Sequence, residues 1–227
     1  MKSENIRRVM ILSSLVCLLP LIFSLSVYDE LLLRVAIHWN GAGQPDGFAH
    51  KALAAFGMPF VLLAIHLFSN LMRLSDPRRA GMSQAVQRFL AWLIPALSLV
   101  LVPVTLLIAM SADIPIALIA PMLVGLILII IGNYLPKSRQ NYTIGIKLPW
   151  TLHDADIWNR THRMAGYLYI LGGIIMAAGA FALRGQASFF VPLTLLIVLL
   201  VAVIPALYAF TLYIKKNQQN QGEKEEI

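Results

Sequence analysis

Residues 89–110 read FLAWLIPALSLVLVPVTLLIAM, a run without Asp, Glu, Lys or Arg. About 20 such residues in a helix cross the hydrocarbon core of a bilayer, so this stretch predicts a membrane span. Working outward, 9–27, 52–71, 114–135, 164–183 and 189–214 repeat the pattern, each long, apolar and free of those four residue types. The chain of 227 residues is 59% hydrophobic and 13% charged, against roughly 25% charged in a soluble domain. Together these predict an all-α, polytopic membrane protein with six transmembrane helices. Arg7 and Arg8 precede the first span, but its apolar run is long and only a weak Ser24-Leu25-Ser26 follows it. That span is therefore read as retained and not as a cleaved signal peptide.

The net charge of +7 would point to nucleic acid in a soluble protein. Here it points to loops that face anionic lipid, with no direct nucleic-acid partner. Fifteen of the 18 Lys and Arg residues fall in the N-terminus, the 72–88 and 136–163 loops and the tail, and only Arg34, Lys51 and Arg184 fall opposite. The positive-inside rule then places both termini in the cytoplasm. A single cysteine, Cys17, excludes an intrachain disulfide and a cysteine-rich zinc site. Pro20, Pro59, Pro95, Pro103, Pro121, Pro192 and Pro205 lie within spans as kink points. Gly125, Gly166, Gly172, Gly173 and Gly179 are read as sites of close helix packing. Residues 1–110 are expected to form an N-terminal membrane domain with an outer loop at 28–51. Residues 111–216 form a C-terminal one with an inner loop at 136–163, and the polar 217–227 tail is expected to be disordered.

Both loops exceed the 2–8 residues typical of helix connections. In the outer one, Arg34–Trp39 alternates like an extended strand and Pro45-Asp46-Gly47 reads as a turn. His38 and Asn40 would share a face, and Trp39 and Phe48 would sit at the membrane interface. His38, Asn40, Asp46 and Lys51 are the candidate ligand-binding residues there. His38, Asp46 and His50 lack a recognised metal-ligand spacing, and neither a metal nor another cofactor is expected.

The inner segment 132–166 reads GNYLPKSRQNYTIGIKLPWTLHDADIWNRTHRMAG. Pro136 ends a helix, Asn141 and Gly145 bracket a turn, and Thr151-x-x-Asp154 resembles a capping box opening the next helix. Trp150 and Trp158 are read at headgroup level, with Lys147, Arg160 and Arg163 reaching phosphates. His66 and Asn70, four residues apart on one helix face, are expected near the same membrane boundary as Asn133 and His162. A polar cluster of those four at the cytoplasmic mouth is the corresponding site hypothesis.

Gly132-Asn133-Tyr134-Leu135-Pro136-Lys137, Asn141-Tyr142-Thr143-Ile144-Gly145-Ile146-Lys147, Pro149-Trp150-Thr151 and Trp158-x-x-Thr161-His162-Arg163 resemble the signature of the SdpI-type immunity proteins. His38, Asn40, Gly43, Asp46 and Lys51 resemble motif positions of the domain of unknown function that often accompanies it. The resemblance implies a bacterial cell-membrane protein conferring resistance to a secreted peptide toxin of the sporulation-delaying type. It also implies a receptor role in which a small transcriptional repressor is held at the inner face.

Two other classes compete. A secondary transporter or permease normally uses ionisable groups within its spans, and these hold only His66. A membrane-interface enzyme would draw on His153, Asp154, Asp156 and His162. The chain has no P-loop, no G-x-S-x-G elbow and no H-E-x-x-H helix, and a non-enzymatic protein is expected.

Overall fold

The computed structural model describes residues 3–79, 82–183 and 186–225. Lys2, Arg184 and residues 226–227, which enter the charge count or the tail expectation, lie outside the described residues. Six helices among those described are long and apolar enough to cross a membrane: Asn5–Glu30, Leu53–Leu74, Gln84–Ala109, Ile116–Lys137, Ala155–Ala182 and Phe189–Gly222. This is a multi-pass membrane protein. The chain divides into two compact units, Met1–Ser75 with Gln84–Ala117, and Asp76–Ser83 with Leu118–Ile227.

In the first unit, α1 (Ser3–Leu18) and α2 (Pro20–Val27) make up the first span. Pro20 brings no N–H and its ring crowds the preceding turn, so the helix breaks at Leu19. Close to that break the Cys17 carbonyl accepts a bond from Ser98 Oγ at 2.8 Å, tying α1 to α4 (Gln84–Ala109). Between α2 and the second span stand β1 (Arg34–Trp39) and β2 (Pro45–His50), an antiparallel hairpin. A π-helical turn, Leu53–Gly57, leads into α3 (Met58–Leu74). Val35 of β1 is buried with Val27, Leu31, Ala54, Val102 and Leu106. Apolar burial therefore anchors the hairpin to the helices.

The hairpin corrects the expected turn. Its reversal lies at 40–44, where Asn40 Oδ1 accepts from the Ala42 and Gln44 amides at 2.9 and 3.1 Å and Gly43 takes φ +76°. An Asn side chain that closes on amides two and four residues ahead stabilises this turn locally. Pro45 opens β2, a strand position where its missing N–H is tolerated. Gly47 consequently pairs with His38, Asp46 stands within β2 at the register shift between Pro45 and Gly47, and Asn40 belongs to the turn instead of sharing a strand face with His38.

The second unit contains α5 (Ile116–Tyr134) from Leu118 onward, the short α6 (Pro149–His153), α7 (Ala155–Ala182) and α8 (Ala187–Glu225). A Cβ added at Gly125 would lie 2.7 Å from the Gly173 carbonyl, and one at Gly132 would lie 2.7 Å from that of Gly166. The two antiparallel glycine pairs let α5 and α7 approach backbone to backbone, where van der Waals packing rather than water drives association. Met176 of α7 packs with Ile197 and Val201 of α8, and Ile157 with Ala209 and Leu212.

One boundary agrees with expectation and one differs. Helix α7 opens directly after Thr151-x-x-Asp154, at Ala155 with Asp154 as its cap, and runs through Trp158 and His162 into the fifth span. Helix α8 continues to Glu225 where disorder was expected from 217. The Gln, Asn and Lys residues that follow the span contain no proline, and Lys216 is paired with Asp154, so the backbone has no cause to leave the helix.

Candidate functional site

The inner loop is a hydrogen-bonded scaffold built around the buried polar side chains of Asp76, Ser138, Asn141, Thr151 and His162. Helix α5 ends in a 3₁₀ turn, Leu135–Lys137, after which Ser138 bridges antiparallel to Met82. Asn141 is fully buried and uses its whole bonding capacity. Its Nδ2 donates to Ser138 Oγ and the Arg139 carbonyl, and its Oδ1 accepts from the Thr143 and Ile144 amides at 2.9 and 2.7 Å. Asp76 reaches this turn from the preceding loop. Its carboxylate accepts from the Arg78 and Tyr142 amides at 2.8 Å and from Thr143 Oγ1 at 2.7 Å.

Gly145 carries the chain past α7 at φ +123°, a conformation that L side chains rarely adopt. A Cβ there would run into His162 and Trp158. Both of those side chains are fully buried. Trp158 Nε1 donates to the Ser138 carbonyl at 2.7 Å, which corrects its reading as a headgroup anchor. The indole N–H found a partner inside the protein, and no lipid contact is left for it. Trp150 packs against Phe210 and Tyr213 of α8.

His162 bonds to the Trp158 carbonyl through Nδ1 at 2.8 Å and to the Ile146 amide through Nε2 at 3.0 Å. A carbonyl only accepts and an amide N–H only donates, so the ring is neutral with its proton on Nδ1. Thr151 Oγ1 accepts from the Leu148 amide and can donate to the Ile146 carbonyl, 2.7 Å away. The capping arrangement thus differs from the expected one. Thr151 closes the start of α6, and Asp154 is itself the cap of α7, accepting from the Asp156 and Ile157 amides at 2.9 and 3.0 Å. Burial works against the Asp154 charge, but the Lys216 ammonium and these amides outweigh it and hold the carboxyl below its ordinary value.

The remaining expected residues divide by location. Asn133 is exposed and accepts from Lys137 Nζ at 3.0 Å, away from the partners of His162. Pro136 packs on Gly166, Thr161 is fully buried, and Arg163 is exposed. In the first unit, His66 and Asn70 are buried on α3. His66 Nε2 lies 3.0 Å from Ser13 Oγ, and Asn70 Oδ1 accepts from Arg73, whose Nη1 donates to the Gln87 carbonyl at 3.1 Å. His66 and Asn70 therefore form a network with Ser13 and Arg73, neither of which was singled out from the sequence.

On the hairpin, His38 Nδ1 pairs with Asp46 Oδ1, with both side chains substantially exposed. Lys51 Nζ donates to the Tyr28 carbonyl and lies 4.4 Å from that ring's centroid. His50 stands at the far end of the hairpin, opposite Arg34. Among the described residues no three His, Cys, Asp or Glu side chains are grouped to hold a metal ion.

Sequence reasoning also missed Asp76 and Arg78. The available signal was Ser75-Asp76-Pro77, since Asp before Pro favours a turn closed by its own side chain. Residues 137–209 match the SdpI/YfhL protein family, and residues 15–63 match a domain of unknown function, DUF1648. The chain is 28% identical over 211 residues to the Immunity protein SdpI of Bacillus subtilis (strain 168), covering 91% of this chain and 97% of that protein. No solved structure matches the chain.

Proposed function

We propose, with the SdpI/YfhL likeness of residues 137–209 as the premise, that this membrane protein is a non-enzymatic immunity protein that protects its cell against a secreted, membrane-active peptide. The observation that carries this reading is the span of the likeness, which covers nearly the whole of an immunity protein and takes in both units. In this reading the charge split puts both termini and the 136–163 loop in the cytoplasm of a bacterial cell and the hairpin outside. The hairpin is then the first ordered element a peptide meets. The exposed His38 and Asp46 pair offers it both an imidazole and a carboxylate. Occupying the peptide there, or keeping it from assembling in the bilayer, needs no bond-making chemistry. The ordered inner loop is the surface on which a small repressor would be held.

The test is survival of toxin-sensitive cells expressing the protein, challenged with peptides of the sporulation-delaying type. His38→Ala and Asp46→Ala are expected to weaken protection at equal membrane insertion, since both side chains lie on an exposed hairpin. Full protection by both variants removes the hairpin from the site. Absence of protection against every peptide removes the immunity reading.

One observation favours a second reading, a secondary transporter: Ser13, His66, Asn70 and Arg73 form a buried polar line on α1 and α3. Ionisable groups inside spans commonly mark transport pathways. Substrate or proton flux that is lost in His66→Ala, in reconstituted vesicles, would establish it.

A further inference from the structure

Below the inner loop lies a cleft of about 620 Å³, bordered by Arg78, Lys137, Ser138, Arg139, Gln140 and Asn159. Its lining contains three cations, two side-chain amides and no carboxylate. Two of the cations are held by neighbours that leave their charge uncompensated. Arg78 Nη1 donates to the Leu152 carbonyl at 2.9 Å, and its guanidinium lies 4.8 Å from the Tyr142 ring centroid. Lys137 Nζ donates to Asn133 Oδ1 and lies 5.5 Å from the Tyr134 ring centroid. Carbonyls, amides and aromatic faces orient a cation without neutralising it. The ion pairs of His38 with Asp46, Arg160 with Asp156 and Lys216 with Asp154 involve none of the cleft cations.

The walls are rigid. Ser138 is 3% exposed, its carbonyl accepts from Trp158 and its hydroxyl from Asn141. Gln140 Nε2 donates to the Thr151 carbonyl at 2.8 Å. The cleft also lies where α5 ends and α7 begins, at the ends of two spans, which is the depth of lipid headgroups.

We propose that this cleft binds a phosphate group through Arg78, Lys137 and Arg139, and that the phosphate belongs to an anionic phospholipid headgroup. Guanidinium groups match phosphate oxygens in a planar, bidentate manner, and Lys supplies a point charge. A merely positive loop surface needs cations anywhere along it. This cleft instead gathers three of them around one concavity with amide donors between.

The test uses the full chain reconstituted in nanodiscs. One arm compares phosphatidylcholine discs with discs doped with phosphatidylglycerol and reads lipid retained through native mass spectrometry. The other titrates inorganic phosphate into pure phosphatidylcholine discs and reads the thermal unfolding midpoint. Wild type is expected to retain phosphatidylglycerol over phosphatidylcholine, with Lys137→Gln/Arg139→Gln losing about thirtyfold of that preference, given roughly 1 kcal/mol for each of the two cations near an anionic surface. Arg7→Gln/Lys215→Gln, which removes the same charge elsewhere, is expected to retain it. A midpoint raised by inorganic phosphate without lipid preference assigns the site to a free phosphate compound and overturns the lipid source. Wild type indifferent to both, or equal losses in the two double variants, overturns the cleft as a phosphate site.

Discussion

The imidazole of His162 lies flat against the indole of Trp158 one helical turn before it, with ring centroids 3.9 Å apart and planes 20° from parallel. The same two side chains fasten opposite ends of the inner loop, Trp158 at the Ser138 carbonyl and His162 at the Ile146 amide. Residues 138–146 are therefore held onto one face of α7 by two adjacent rings.

His162→Ala is expected to cost about 2–3 kcal/mol, because it removes the acceptor of the Ile146 amide as well as a stacked ring. Chemical unfolding in detergent measures the loss. Nitrogen NMR of labelled histidine is expected to show the neutral ring with its proton on Nδ1. A ring charged at neutral pH would contradict the donor and acceptor assignment.

Gly145→Ala combines a disfavoured backbone conformation with a Cβ directed into His162 and Trp158. A loss of at least about 2 kcal/mol is expected, since a strained residue of this kind costs roughly 1–3 kcal/mol before any clash. Gly222→Ala has nothing within 4 Å of its new Cβ and lies in α8, so it is expected to cause no loss. Equal unfolding midpoints for the two variants would mean that the loop does not pass over α7 in this way.

Asp154 carries the pH dependence. Its carboxyl is held below the ordinary value in the folded protein, so its stabilising contribution is complete above the unfolded value of about 3.9 and is lost as pH falls through the lower folded value. A spin label at Gln219 is expected to keep the same mobility from neutral pH down to the ordinary carboxyl range and to loosen only below it. In Lys216→Gln the loosening is expected to move upward in pH. A transition near neutrality would exclude the Asp154 pair as its cause.

Topology is checked with single cysteines in a Cys17→Ser background. Gln44→Cys is expected to react with an impermeant thiol reagent in intact cells, and Lys137→Cys only after the membrane is opened. Gln44 is the better outer position, since any Cβ at the neighbouring Gly43 would press on Ala117 at its φ of +76°. Labelling at Lys137 in intact cells would invert the orientation.

The six spans and the approximate place of each break were legible in the linear chain. A bilayer requires backbone bonds to be satisfied within each segment, and long uncharged runs meet that requirement locally. Pro20 as an interruption, Asn141 and Gly145 as turn residues, and the polar character of His66 and Asn70 are likewise properties of single residues or near neighbours. Tertiary structure alone decided what the polar residues do. Pro45-Asp46-Gly47 has turn chemistry, yet Asn40 closes the turn earlier and burial of Val35 holds the strand register. Trp158 has the composition of an interfacial anchor, yet the Ser138 carbonyl takes its N–H inside. Asp76 meets Thr143 across a gap of 67 positions, and Arg78 meets Lys137 and Arg139 around one cleft. Helix and span formation depend on interactions within a few residues, whereas these partnerships depend on distances that the chain sets only when its helices pack.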